Sequence, residues 1–380
     1  MRVEVKPELL RWACERAGLD IAAFSARFPQ LSKWESGETQ PTLKQLETFA
    51  KATHAPVGYF FLAEPPVEQV PIPDFRTVGS LKVGRPSADL LDTIYLCQQR
   101  QEWYREYSRW AGADPLAFVG SVTVKKDVEG VATAMRRALK FDLAERKQMS
   151  SWSEALRRFI EQADELGVLV MVNGVVGSNN RRKLDPDEFR GFALADTLAP
   201  LVFINGADTK SAQMFTLAHE LAHLWLGQSA VSDVAPTTTP SSGAEAWCNR
   251  VAAEFLVPLD DFRKTYRTDA KRSEEVARLA REFKVSTLVV LRRMFDAGGL
   301  TREQLDKAYA DELKTLRELA PKSGGGDFYL TLGARVGKRF ARALVTDTLE
   351  GQTLYRDAFL LLGFSKVATF ETLGHHLGVV

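Results

Sequence analysis

The sequence predicts an α+β protein, mainly helical, whose few strands gather in one central stretch. Three observations carry that reading. Helical periodicity with capping residues runs through the first 63 residues and recurs after residue 86. β-rich segments occur at Val168-Leu169-Val170-Met171-Val172, at 189–195 and at 200–205, separated by turn-formers such as Gly177-Ser178-Asn179-Asn180 and Asn205-Gly206. The last strand leads straight into a helix bearing His219-Glu220-Leu221-Ala222-His223. The expected order is therefore helices, a small antiparallel sheet, then a histidine-bearing helix.

Residues 1–63 form the first expected domain, with helices over 7–17, 21–28, 31–35 and 42–53. Thr42 and Gln45 make a capping box ahead of the apolar face Leu43, Leu46, Phe49 and Ala50, and Ser36-Gly37 supplies the stop before it. Residues 64–85 read as an extended linker, because Pro65-Pro66, Pro71 and Pro73 bias the chain towards polyproline geometry. The next domain, 86–285, opens with a long helix over 86–110 and two more over 128–140 and 152–166, before the three strands. An exposed edge strand of such a sheet can hold a peptide main chain in extended form. Arg190, in Phe189-Arg190-Gly191-Phe192, either lines that cleft or is an exposed strand cation; composition favours the cation. Residues 286–380 form a helical C-terminal region.

Composition narrows the class. At 380 residues and 45% hydrophobic content, the chain can build two or three cores. A formal charge of +1 gives no whole-chain pull on nucleic acid. The start, Met1-Arg2-Val3-Glu4-Val5-Lys6, lacks the apolar run of a secretory signal, and no segment approaches the about 20 apolar residues of a membrane span. A cytoplasmic protein without a membrane partner is expected. Cys14, Cys97 and Cys248 form no CxxC pair and are odd in number, so buried free thiols are expected in place of a disulfide framework or a thiolate zinc site.

The histidine helix carries the chemistry. Residues four apart on a helix are surface neighbours, so His219 and His223 can reach one metal ion, with Glu220 beside its open position. Glu220 is placed to take a proton from a metal-bound water and pass it to a leaving amine. The competing reading is an ordinary amphipathic helix with Phe215, Leu217, Leu221, Leu224 and Leu226 as its buried stripe. Against it, the chain has only five histidines, and two fall at this spacing in an apolar segment. A further ligand must come from a later element. Glu245 is the choice, on a helix over 244–256 that follows the polar stretch 234–243; its alternative role is an acidic residue favoured at a helix N-terminus. Asn249 shares the Glu245 face, one turn on. Glu254, nine residues beyond Glu245, lies about half a turn round and cannot face the same ion.

Phe189-Arg190-Gly191-Phe192, Phe215-Thr216-Leu217-Ala218-His219-Glu220-Leu221-Ala222-His223-Leu224 and Glu245-x-x-Cys248-Asn249-x-Val251-Ala252-Ala253-Glu254-Phe255-Leu256-Val257-Pro258 together resemble the ImmA/IrrE family of metallopeptidases. The resemblance runs from about Asp114 to Arg281. It implies a zincin-like catalytic domain with His219, His223 and Glu245 as ligands of Zn2+, or of Mn2+, and Glu220 as catalytic base. Cys248, Val251 and Val257 depart from the family pattern at packing positions. Leu31-Ser32-Lys33-Trp34-Glu35-Ser36-Gly37 through Leu43 resembles the end of a helix-turn-helix of the Cro/C1 repressor type. It departs by about one helical turn before Trp34, and residues 1–64 hold as many acidic as basic side chains. Family relatives also carry a segment like Pro71 to Arg76.

The resemblance implies a cytoplasmic endopeptidase that regulates transcription by site-specific cleavage of a repressor or antitoxin. The alternative is a DNA-binding regulator or antitoxin whose zincin-like domain serves partner binding or metal sensing. Residues 276–294 look like a second helix-turn-helix. Past the Gly run of 322–327, Arg335, Lys338, Arg339 and Arg342 read as a solvated basic face, and His375-His376 as a solvated pair.

Overall fold

A computed structural model describes residues 2–18, 21–74, 86–232, 243–318 and 333–379. The expected polar stretch 234–243 and the Gly run 322–327 lie, but for Gly243, outside the described residues. The chain divides into two compact units, Met1–Pro71 with Gly84–Asp92, and Ile72–Val83 with Thr93–Val380.

The first unit contains α1 (Pro7–Arg16), α2 (Ile21–Arg27), α3 (Leu31–Glu35) and α4 (Leu43–Thr53), followed by a 3-10 turn at Val57–Phe61. Thr42 and Gln45 cap α4 reciprocally, as the sequence predicts. Phe49 of α4 is the hub of the core, meeting Phe24, Phe28, Trp34 and Phe60 ring to ring. Arg16 is buried, so its charge needs partners; it takes Glu68 at 2.8 Å, Asp92 at 3.2 Å and the His54 carbonyl at 2.7 Å. The Pro-rich segment is thereby held to α1. Helix α3 has five residues, short of two turns.

The second unit is mainly helical around a small four-stranded sheet, with a separate two-stranded hairpin. Most of α5 (Ala88–Trp110) belongs to it, then α6 (Val128–Ala138), α7 (Leu143–Gln148) and α8 (Trp152–Leu166). The strands are β1 (Leu169–Asn173), a β2–β3 hairpin (Val175–Val176, Asn179–Lys183), β4 (Gly191–Leu194), β5 (Leu201–Asn205) and β6 (Ala230–Ser232), with α9 (Lys210–Leu226) between the last two. The sheet order is β1-β5-β4-β6. It is mixed and not antiparallel: β5 runs parallel to β1, from Leu169 opposite Leu201 to Asn173 opposite Asn205, and antiparallel to β4. The reason is the connection. The hairpin and β4 intervene between β1 and β5, long enough to return the chain in the same direction. Every residue of β5 is buried, as its unbroken Leu201-Val202-Phe203-Ile204 run requires of a strand covered on both faces.

At the outer edge of β6, the Val231 N–H donates to the Pro73 carbonyl at 2.9 Å, and Asp74 bridges to Val231 in parallel. Gln101 of α5 donates to the carbonyls of Leu194 and Ala199, fixing the turn between β4 and β5.

Helix α10 (Gly243–Leu256) packs in the same core, through Trp247, Val251, Ala252 and Phe255. Its last carbonyls lack helical partners, and two arginines supply them: Arg136 donates to Glu254 O at 2.7 Å and buried Arg146 to Leu256 O. Then follow α11 (Leu259–Thr265), α12 (Arg272–Phe283), α13 (Thr287–Asp296) and α14 (Arg302–Glu318). Arg293 of α13 forms a buried ion pair with Glu254 at 2.8 Å, which assigns Glu254 to the fold.

The C-terminal helices are α15 (Lys338–Leu349), α16 (Tyr355–Leu362) and α17 (Val367–Leu377). Of the basic face expected there, Lys338 and Arg342 are exposed, but Arg339 is half-buried and donates to the Asp164 carbonyl at 2.8 Å. His375 and His376 are exposed. All three cysteines are buried and free. Among the described residues, no helix is long and apolar enough to cross a membrane.

Candidate metal centre

Helix α9 starts at Thr209, whose hydroxyl accepts from the Ala212 N–H, and ends at Gly227 in the left-handed region. Every residue from Gln213 to Trp225 is buried. Two imidazoles in such a helix cannot be solvated, so their polar atoms must meet each other, a protein partner or an ion. His219 and His223 project one turn apart, with their Nε2 atoms 3.1 Å from each other. Glu245, in the first turn of α10, reaches both: its Oε2 is 3.3 Å from Nε2 of His219, and its Oε1 is 2.9 Å from Nε2 of His223.

This set fits a metal ion. Ligand atoms of the three residues lie within 4.8 Å of one another and all three are buried. Two ligands about 2.0–2.1 Å from a tetrahedral ion stand roughly 3.3 Å apart, and the three spacings cluster there. Imidazole and carboxylate donors suit zinc by chemistry as well as by spacing.

The electrostatics agree with a cation-binding pocket. Burial works against the Glu245 anion, but His219 and His223 outweigh it and hold that carboxyl well below the ordinary carboxylate range. Burial, helped by His219, pushes the His223 imidazole down towards its neutral, ligating form, while Glu245 pulls the other way. Burial and then the neighbouring Glu245 charge push the Glu220 carboxyl well up, with Ser232 acting in the opposite direction. Glu220 is fully buried, and neither of its carboxyl oxygens meets a hydrogen-bond partner of ordinary geometry among the described residues. Burial also raises the Cys248 thiol, reinforced by Glu245 and Glu220, so this cysteine on α10 stays protonated.

The structure adds two residues to those picked from the sequence. Ser232, the last residue of β6, has its hydroxyl 3.5 Å from His223 Nε2 and donates to Glu245 Oε1 at 3.5 Å. Gly191 of β4 lies opposite Ser232 and makes room for Glu220: a Cβ there would stand 3.3 Å from Glu220 Oε1. Glycine inside a strand, where a backbone must approach closely, was the available signal for Gly191; Ser232 had none.

Arg190 is not an exposed cation. Its side chain is 17% exposed and pairs with Asp208, on the turn into α9, at 3.2 Å. Asn249 is half-buried one turn beyond Glu245, and its Oδ1 meets no hydrogen-bond partner among the described residues.

Comparison with known families falls on this region. Residues 163–295 match the IrrE N-terminal-like domain (Peptidase_M78), a stretch from the end of α8 through most of α13 that contains His219, Glu220, His223 and Glu245. Residues 336–376 match a domain of unknown function (DUF8813) that takes in α15 and α16 and most of α17. Neither match covers the segment that resembles a helix-turn-helix in residues 1–63. No curated protein matches the chain.

Proposed function

Taking residues 163–295 as a metallopeptidase-like domain, we propose that the protein is a metal-dependent endopeptidase that cuts a repressor or antitoxin and so regulates transcription. The carrying observation is the buried His219, His223 and Glu245 triad with Glu220 next to it in sequence. The resemblance to ImmA/IrrE peptidases supports the kind of substrate.

The chain's own residues divide the work. His219, His223 and Glu245 would hold the ion, with zinc the proposed occupant. Zn2+ in that place supplies a Lewis acid that polarises a peptide carbonyl and acidifies water. Glu220, shielded from solvent beside the triad, would take the proton from the attacking water. As the C–N bond breaks, it delivers that proton to the departing amine nitrogen. Gly191 keeps the space against its carboxylate clear. Ser232 steadies the Glu245 carboxylate.

The test is a trap. Glu220→Gln is expressed in the host, its bound partner is recovered, and that partner is incubated with Zn2+-loaded wild type and mutant. One cut by wild type alone supports the reading and names the substrate. A partner or DNA site held equally by both and never cut turns the reading towards a regulator that binds without hydrolysis.

A further inference from the structure

Strand β6 is an edge of the sheet, and it is the edge beside the metal ligands. The opposite edge, β1, is three strand spacings away in the order β1-β5-β4-β6, about 14 Å. Of the three β6 residues, only the middle one turns its main-chain groups outward, because antiparallel pairing alternates and Ala230 and Ser232 turn theirs towards β4. Val231 therefore carries the outward N–H of this strand. Its neighbour Ser232 stands within 3.5 Å of atoms of both His223 and Glu245. A peptide laid in extended form across the triad would need the Val231 donor.

That donor is already used. The Val231 N–H donates to the Pro73 carbonyl at 2.9 Å, and Asp74 lies opposite Val231 in parallel register. Ile72 is half-buried, while Pro73 and Asp74 are exposed. Pro73 has no N–H to offer a neighbour in return. The segment thus rests on the edge without being built into the core.

We propose that Ile72–Asp74 is an internal competitor, seated where an extended substrate main chain must pair, and that substrate binds by displacing it from Val231. This rests on the peptidase reading above. The partner chemistry it implies is an unfolded or extended polypeptide, recognised first through its main chain. A site free only a tenth of the time shows an apparent affinity about tenfold weaker than its intrinsic one.

Two variants of the full chain test this, with a proteome-derived peptide library as the probe and Zn2+ loaded into each. Replacing the segment with glycine, I72G/P73G/D74G, is expected to lower KM about tenfold and to speed hydrogen exchange at the Val231 amide. D74C/V231C joins the bridged pair; its oxidised form is expected to lose at least about tenfold in cleavage and to recover on reduction with a phosphine. Equal KM and equal exchange in wild type and glycine variant, with oxidation of the cysteine pair without effect, overturn the competition while leaving the peptidase reading intact. If no form cuts the library although each binds Zn2+, the peptidase reading falls and the competition with it.

Discussion

Gly191 stands against Thr216 so closely that the strand has no room for a side chain. A Cβ at Gly191 would lie 2.6 Å from Thr216 Cγ2 and 2.8 Å from the Phe203 carbonyl oxygen, besides its approach to the Glu220 carboxylate. Thr216 precedes Glu220 by one turn of α9, so the overlap is shared between that helix and the middle of the sheet. Gly191→Ala is expected to destabilise the fold by about 1–3 kcal/mol through overpacking. It should also slow cleavage by shifting Glu220. Thermal unfolding with zinc content measured in parallel checks this: a variant as stable and as active as wild type would refute the contact.

Glu220 and Glu245 should separate cleanly. Glu220→Gln is expected to bind zinc like wild type and to cut about 100- to 10,000-fold more slowly, the usual contribution of a positioned acid–base group. Glu245→Ala should lose both zinc and cleavage. Metal content by atomic emission, alongside single-turnover cleavage, tells the two apart. Chelation of wild type should abolish cutting, and Zn2+ should restore it.

Ser232→Ala is expected to weaken zinc affinity by roughly 10- to 100-fold, the common effect of removing an outer hydrogen bond to a ligand. Ser232→Thr should recover most of it, because the hydroxyl is kept. Competition against a zinc indicator measures both. An alanine variant with unchanged affinity would show that the 3.5 Å contacts orient nothing.

The metal-free protein should show a pH dependence with a definite sign. Burial raises the Glu220 carboxyl in the folded state, so between its ordinary range and its folded value the native chain holds a proton that the unfolded chain has released. The native state binds more protons there, and stability falls as pH rises through that window. His223 acts in the opposite sense, since its lowered value makes stability rise with pH below its ordinary range. Urea unfolding of chelated wild type and Glu220→Gln from about pH 5 to about pH 8 isolates the first effect. Wild type minus variant should decline with pH; a flat or rising difference would contradict the raised carboxyl.

The Arg293–Glu254 pair is buried at 2.8 Å, and breaking it leaves a charge without its counter-ion. Arg293→Ala is expected to cost about 3–5 kcal/mol. A paired Arg293→Met/Glu254→Leu change should cost much less, because no lone charge remains. Chemical denaturation of the two variants makes the comparison.

The parts most legible in the sequence were those with a period or a spacing. The capping box at Thr42 and Gln45, the span of α8 and the two imidazoles of α9 all follow from local rules, and the structure places them accordingly. What escaped was short, polar or remote. Strand β6 has three residues, too few to show alternation, and β3 reads Asn179-Asn180-Arg181-Arg182-Lys183, with no apolar face to mark it. The parallel pairing of β1 with β5 was signalled by two continuous apolar runs, the mark of strands covered on both sides, but short runs do not state their partner. Glu254 was excluded as a ligand by helical angle alone; that Arg293 would meet it, 39 positions on, no local pattern could give.

Helix α10 is a rod packed into the core along its length and clamped hardest at its C-terminal end. Arg136, Arg146 and Arg293 grip residues 254–256 at its root, and Glu245 sits at the tip. Eleven residues at 1.5 Å each make a beam of about 16 Å, so a tilt of about 3° at the root swings the tip by nearly 1 Å. That is a large fraction of a metal–ligand bond length. The position of the Glu245 carboxylate is thus tied mechanically to contacts about 16 Å away, at the far end of the helix that carries it.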